Sequence, residues 1–187
     1  MKKVRQSVFE TNSSSIHAIS VVRGNGRKNG LDVARWRQES GLGNTLYVKP
    51  GEFGWECEWY DDWEDRLRYL YTIACMYRGW EWEEWKDCIA EALKSVGFEP
   101  EFKAMKTAIS SDGLHVYVDG AEDGSWFYID HCEDIPGDLL VLLHDDQDFM
   151  LDFIFGDTVI STGNDNGDSC HPDVPDKAGA LEFWKYN

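Results

Sequence analysis

Trp55-Glu56-Cys57-Glu58-Trp59-Tyr60-Asp61-Asp62-Trp63-Glu64-Asp65-Arg66-Leu67-Arg68-Tyr69-Leu70-Tyr71-Thr72-Ile73-Ala74-Cys75-Met76-Tyr77 is the stretch with the strongest periodicity in the chain. Trp55, Trp59 and Trp63 stand four apart, and Leu67, Leu70, Ile73 or Ala74, and Tyr77 continue the same stripe. Asp61, Asp62, Glu64, Asp65 and Arg66 fall largely off it, which is the pattern of an amphipathic helix. Gly79 breaks the run. Trp82, Trp85, Ile89, Leu93 and Val96 then form a second stripe, and Gly97 stands where a left-handed cap closes a helix. Two helices joined by about three residues predict an antiparallel hairpin over about residues 56–97. A tryptophan row at helical spacing is read first as core, because large rings bury more often than they line a ligand site.

Strand patterns flank this hairpin on both sides. Residues 3–9 alternate loosely, and Ile16, Ala18 and Val21 or Val22 resume the alternation after a polar interruption. Residues 23–30, Arg-Gly-Asn-Gly-Arg-Lys-Asn-Gly, predict a flexible basic loop, because glycine and asparagine tolerate positive φ. A short helix over 31–40 and a strand over Thr45-Leu46-Tyr47-Val48, ended by Pro50-Gly51, follow. Beyond the hairpin, residues 114–118 and 126–129 predict two strands of a hairpin around a Gly- and Asp-rich turn. Leu139 to Leu143 is a buried apolar run of either type. A helix follows from Asp145 or Asp146 through Ile154, its early carboxylates suiting the positive helix end. Thr158 to Thr162 is a strand, and residues 163–177 are a long loop. Leu181, Phe183 and Trp184 tack the C-terminus down. The fold class is α+β: a mainly antiparallel sheet packed against a helical hairpin and one or two short helices. At 187 residues the chain is expected to be a single domain over 1–187.

The charge is lopsided. Thirty-five acidic and eighteen basic side chains give a formal net charge of −17. Residues 1–50 hold nine Lys/Arg and three Asp/Glu, so the surplus lies entirely in residues 51–187. Such a surface repels nucleic-acid phosphates and favours basic partners; at the least, it keeps a protein soluble. No window is apolar enough to span a membrane, and the first residues lack the apolar run of a secretory signal, so a cytoplasmic location is expected. Five cysteines, an odd number without a Cys-x-x-Cys pair, predict reduced and mostly buried thiols.

The densest polar stretch is Arg5-Gln6-Ser7-Val8-Phe9-Glu10-Thr11-Asn12-Ser13-Ser14-Ser15-Ile16-His17. With Glu52-Phe53-Gly54-Trp55, Tyr69-Leu70-Tyr71-Thr72, Tyr128-Ile129-Asp130-His131, Phe153-Ile154-Phe155 and Asn164-Asp165-Asn166, it resembles a family of small uncharacterised proteins of bacteriophages, prophages and related mobile elements. The resemblance implies an accessory protein acting in a bacterial host cell, where small phage proteins commonly redirect or inhibit host or defence machinery.

Several polar groups are candidates for chemistry. Arg5, Glu10, Thr11, Asn12, Ser13, Ser14 and Ser15 can cradle an anion through hydroxyls and turn amides, or simply form a turn bonded to its own backbone. His17 titrates near neutrality and, with Asp130 and His131, forms the candidate catalytic set. If these converge with Asp165, then His131 and Asp165 become candidate ligands of a divalent metal that activates water against a nucleotide. His131-Cys132 and Cys170-His171 have poor spacing for zinc. Thr162 to Asp173 is an imperfect calcium loop, lacking the first Asp and the last Glu. No phosphate-binding loop or nucleophile elbow is present. No cofactor is called for by any of these stretches.

Two functions follow as expectations. In the first, an acidic face built on Glu52, Glu56, Glu58, Asp61, Asp62, Glu64 and Asp65 binds a basic bacterial protein and inhibits it, imitating nucleic acid rather than binding it. In the second, a metal-dependent hydrolase or transferase works on a nucleotide or nucleic acid through the Glu10–His17 turn, Asp130 and His131.

Overall fold

The computed structural model describes residues 15–54, 57–77, 82–103, 105–110, 113–118, 128–129, 135–164 and 172–186. In chain order the elements are β1 (Ser15–Val22), α1 (Gly26–Glu39), β2 (Thr45–Val48), β3 (Glu52–Phe53), β4 (Glu58–Tyr60), α2 (Trp63–Tyr77) and α3 (Trp82–Ser95). They continue with β5 (Glu99–Phe102), β6 (Met105–Ser110), β7 (Gly113–Val118), β8 (Tyr128–Ile129), α4 (Gly137–Asp145), α5 (Gln147–Phe155), β9 (Asp157–Asn164) and β10 (Ala180–Lys185). The α+β class is borne out: the described residues form a four-stranded antiparallel sheet in the order β10-β1-β9-β4, small two-stranded pairings, and five helices.

The first helix of the hairpin begins at Trp63, so the tryptophan row from Trp55 is not one helical stripe. Asp62 is the reason. Its Oδ1 accepts the Glu64 N–H at 2.7 Å and its carbonyl accepts the Arg66 N–H, which makes it an N-cap. Glu64 and Asp65 then sit in the first turn, where the helix dipole favours carboxylates. Upstream, Glu58–Tyr60 is drawn into the sheet as its edge strand, with Trp59 opposite Ser161. Trp59 is therefore 54% exposed instead of core. Trp55 lies outside the described residues. The second stripe is as expected: Trp85, Ile89, Leu93 and Val96 are buried. Gly97 (φ +96°) donates to Lys94 O and Phe98 N donates to Leu93 O, a Schellman closure. Tyr69 to Ala74 of α2 are all fully buried, so this helix is covered on every side.

Residues 23–30 are the largest correction. Helix α1 starts at Gly26, and Gly26, Gly30 and Ala34 form its buried face against α5. A Cβ on Gly26 would stand 2.2 Å from the Leu151 carbonyl carbon, and one on Gly30 would stand 3.0 Å from the Phe155 ring. The glycines thus permit close helix packing; only Gly24 (φ +110°) serves as a turn residue. The buried Asp152 carboxylate accepts the N–H groups of Gly24 (2.9 Å) and Gly26 (2.7 Å). An anion from α5 therefore caps the positive end of α1. Asn29 Nδ2 donates to Phe155 O, closing the far end of α5.

Strand pairing also departs from expectation. β7 pairs with β6, and β8 joins β3 in parallel, so among the described residues Tyr128 and Ile129 pair with β3 instead of 114–118; Trp126 and Phe127 lie outside the described residues. β2 and β5 form a second parallel pair. The C-terminal segment is a full strand, β10, on the open side of β1. The apolar run 139–143 is helical within α4, and Asp146 caps α5 by accepting Phe149 N–H at 2.9 Å. Cys75 and Cys88 carry free thiols as expected, but Cys57 is disulfide-bonded. Proximity in the fold, not spacing in the sequence, decides that pairing.

Candidate functional site

Strand β1 lies between β10 and β9, and its odd-numbered residues face the helices. Register then sets a polar row across the sheet: Lys185 opposite His17, His17 opposite Thr162, and Thr162 opposite Glu58. His17 is fully buried. Its Nε2 lies 3.2 Å from Gly54 O, and its Nδ1 lies 2.8 Å from the Tyr69 hydroxyl. A carbonyl can only accept, so Nε2 carries the proton. The neutral ring then accepts the Tyr69 O–H at Nδ1. Burial, reinforced by the cation of Lys185 and opposed by the Gly54 bond, pushes the His17 pKa down to about 3. The ring is therefore neutral throughout the physiological range.

Lys185 is equally buried, and its Nζ donates to Ser15 O (3.0 Å) and Ser15 Oγ (2.8 Å). Glu58 accepts from the Tyr60 hydroxyl, which also meets Thr162. Burial and the Glu58 carboxylate raise the Tyr60 phenol well above its usual range.

These positions gather fragments that are far apart in sequence. Ser15 stands in register with Asn164, Gly54 meets His17, and Tyr69 meets both His17 and the Phe153 ring. Ile129, the residue before Asp130, stands in register with Phe53, the residue before Gly54. One end of the sheet thus collects the described parts of the opening stretch and of its companion fragments. Arg5, Glu10, Thr11, Asn12, Ser13, Ser14, Glu56, Asp130, His131 and Asp165 lie outside the described residues, as do Cys132, Cys170 and His171. Among the described residues no cluster of three metal-capable side chains occurs. No helix among them is long and apolar enough to cross a membrane.

The carboxylates gather in two zones. Glu58, Asp61, Asp62 and Glu64 are exposed and Asp65 half-buried, forming a ridge along β4 and the start of α2 beside Trp59. Glu52 is exposed at β3. The cation within this segment, Arg66, turns inward: its Nε donates to Ile154 O and its Nη1 to Thr158 O. The second zone is an open cleft of about 490 Å³ with Glu84, Asp145 and His144 on its rim and Trp85, Leu140 and Val141 among its lining. Trp63 at the start of α2 stacks on Phe98 just past the end of α3. The ridge and the start of α3 therefore lie towards opposite ends of the helix pair. Asp146, Asp148 and Asp152 belong to neither zone, because they bind Arg23, Arg27 and the α1 N-terminus.

Compared with family models, with curated proteins and with solved structures, the chain finds no match. Sequence reasoning passed over Lys185, the register neighbour of His17, and quoted Tyr69 only as part of a motif fragment, not as the hydroxyl that bonds the ring. Lys185 reaches His17 through cross-strand register and Tyr69 through the packing of α2 on the sheet, and neither is visible in sequence spacing.

Proposed function

We propose that this chain is an acidic accessory protein, of the phage or mobile-element type its opening motif resembles, that binds and inhibits a bacterial host or defence protein. The observation that carries this reading is the ridge Glu58, Asp61, Asp62 and Glu64 around the exposed Trp59, where carboxylates outnumber the nearby cations Arg66 and Arg68. Asp62 is needed to cap α2 and Glu64 suits its dipole, but Glu58 and Asp61 lie upstream of the helix. Clustered like charges repel one another and weaken the free fold; a basic partner relieves that repulsion. Long-range attraction speeds encounter, and the aromatic ring supplies affinity once water is excluded.

The test is capture of bacterial lysate proteins by the wild-type chain and by an Asp61→Lys/Glu58→Lys variant, followed by association kinetics with the captured protein. The expected partner is basic. Its association rate falls about tenfold or more from low to high salt, and the charge-reversed ridge loses it. A rate indifferent to salt, or a variant that binds as well as wild type, refutes the reading.

One observation favours a second reading, a hydrolase or transferase acting on a nucleotide or nucleic acid with a divalent metal: the convergence of motif fragments at one end of the sheet. In that reading His17 positions neighbouring groups, since a fully buried and doubly bonded neutral ring has no access to substrate. Asp130, His131 and Asp165 then carry the chemistry, and Asp130→Asn abolishes turnover without lowering stability.

A further inference from the structure

In a chain with 35 acidic and 18 basic side chains, a cavity where cations outnumber carboxylates is unexpected. Such a cavity, of about 250 Å³, lies between the end of α1, strand β2 and the start of α2. Arg37, Lys49 and Arg68 line it against one carboxylate, Glu64. Lys103 stands close by, its Nζ 5.5 Å from the centroid of the Tyr47 ring. Tyr47, Trp63 and Leu67 supply ring and aliphatic walls, and Tyr47 is 65% exposed.

Among the described residues Arg37 and Lys49 form no ion pair, whereas Arg68 is paired with Asp65. Arg37 donates from Nε to Gly43 O at 3.2 Å, a neutral acceptor that orients the guanidinium without cancelling its charge. Arg68 donates from Nη1 to Asp65 at 3.0 Å, while its buried Nε has no hydrogen-bond partner among the described residues. A buried, unpaired N–H on a cation is costly and favours an incoming acceptor. Arg37 and Lys49 come from the basic first fifty residues, whose Arg23 and Arg27 are committed to Asp146 and Asp148.

The geometry points to a binding site for a small anion that carries a flat aromatic ring, with a nucleoside monophosphate as its representative. The three cations select an anionic group, preferably a phosphate that two guanidiniums can grip. Tyr47 and Trp63 supply aromatic surface against which the ring can pack. The volume falls just under the ~300 Å³ at which pockets for larger ligands begin, so the occupant is no larger than a mononucleotide. A free small molecule is favoured over a polynucleotide, because a long polyanion would also meet the surrounding field of a −17 protein. This site does not rest on the carboxylate ridge as a docking surface.

The experiment is calorimetric titration of the full chain with adenosine 5′-monophosphate, adenosine, inorganic phosphate and a short single-stranded oligonucleotide. The monophosphate is expected to bind saturably. Adenosine and phosphate are each expected to bind at least about tenfold more weakly, the loss of a charge-assisted contact or of the ring. Lys49→Gln and Tyr47→Ala, both at exposed positions, weaken the monophosphate about tenfold without moving the melting temperature, while Asp61→Asn leaves it bound. No saturable binding overturns the proposal, as does equal affinity for adenosine, for phosphate alone, or for both variants. Tighter binding of the oligonucleotide than of the monophosphate overturns the small-molecule assignment.

Discussion

Replacing His17 by glutamine should remove much of the stability that the wild-type protein loses between pH 7.5 and pH 5. In the folded chain the imidazole pKa is about 3; in the unfolded chain it returns to its ordinary value of 6.5. Below pH 6.5 the unfolded state therefore binds a proton that the folded state refuses. The sign follows: this contribution is complete above about pH 6.5, declines as pH falls, and is exhausted near pH 3. Each pKa unit is worth about 1.4 kcal/mol, so acidification from pH 7.5 to 5 costs about 2 kcal/mol through this residue alone. Asp146, held below its usual carboxyl range chiefly by the Phe149 N–H, acts in the same direction but only at lower pH. Urea denaturation at both pH values separates the two. Glutamine cannot titrate, so the difference between pH 7.5 and 5 should shrink by about 2 kcal/mol relative to wild type. His17→Ala at pH 7.5 should cost about 3 kcal/mol or more, since it removes the bonds from the ring to the Tyr69 hydroxyl and the Gly54 carbonyl and opens a cavity. Equal pH slopes for wild type and the glutamine variant would mean that the ring is solvated and the polar row is open.

The opening stretch was legible as a concentration of polar side chains, but not the state of its histidine. A His in an alternating strand has the same signature whether its face meets water or helices. What decides is coverage: β1 is buried along nearly its whole length because α2 and α5 cover one face while Val174 and Trp184 pack against Ala18 and Val159 on the other. Local signals were read well where a single helix carried them. The Trp85–Val96 stripe, the Gly97 closure and the Asp146 cap all depend on neighbours within one or two turns. Pairing was read poorly for the opposite reason. Nothing within residues 114–129 says that β7 turns back to β6, or that the two-residue β8 finds β3. The cationic cavity was invisible because Arg37, Lys49 and Arg68 belong to three separate elements.

Residues 23–30 carried a signal that glycine's reputation concealed: Gly26, Gly30 and Ala34 recur every four positions, the spacing of a small-residue helix face. Alanine substitution distinguishes the two readings by sign. Were Gly26 in a free loop, Gly26→Ala would stabilise the protein by about 0.4–1 kcal/mol by restricting the unfolded chain. In the α1–α5 contact it should instead destabilise by about 3–5 kcal/mol, because the new methyl meets backbone that cannot rotate away. That methyl would lie 2.2 Å from the Leu151 carbonyl carbon and oxygen and 2.3 Å from the Asp152 nitrogen. Gly30→Ala is the internal control. Its methyl meets the Phe155 and Val96 side chains at 3.0–3.2 Å, and helix propensity returns up to about 1 kcal/mol, so the net change should be small. Asp152→Ala should resemble Gly26→Ala without any clash. It strands the N–H groups of Gly24 and Gly26 and removes the charge that caps α1, at a cost of about 3 kcal/mol. The double variant should cost less than the sum, since pushing α1 off α5 already breaks the cap. Urea midpoints for the four proteins measure all of this. A neutral Gly26→Ala beside a damaging Gly30→Ala would place the close approach one turn further along the helix, and strict additivity would separate the carboxylate cap from the docking of α1.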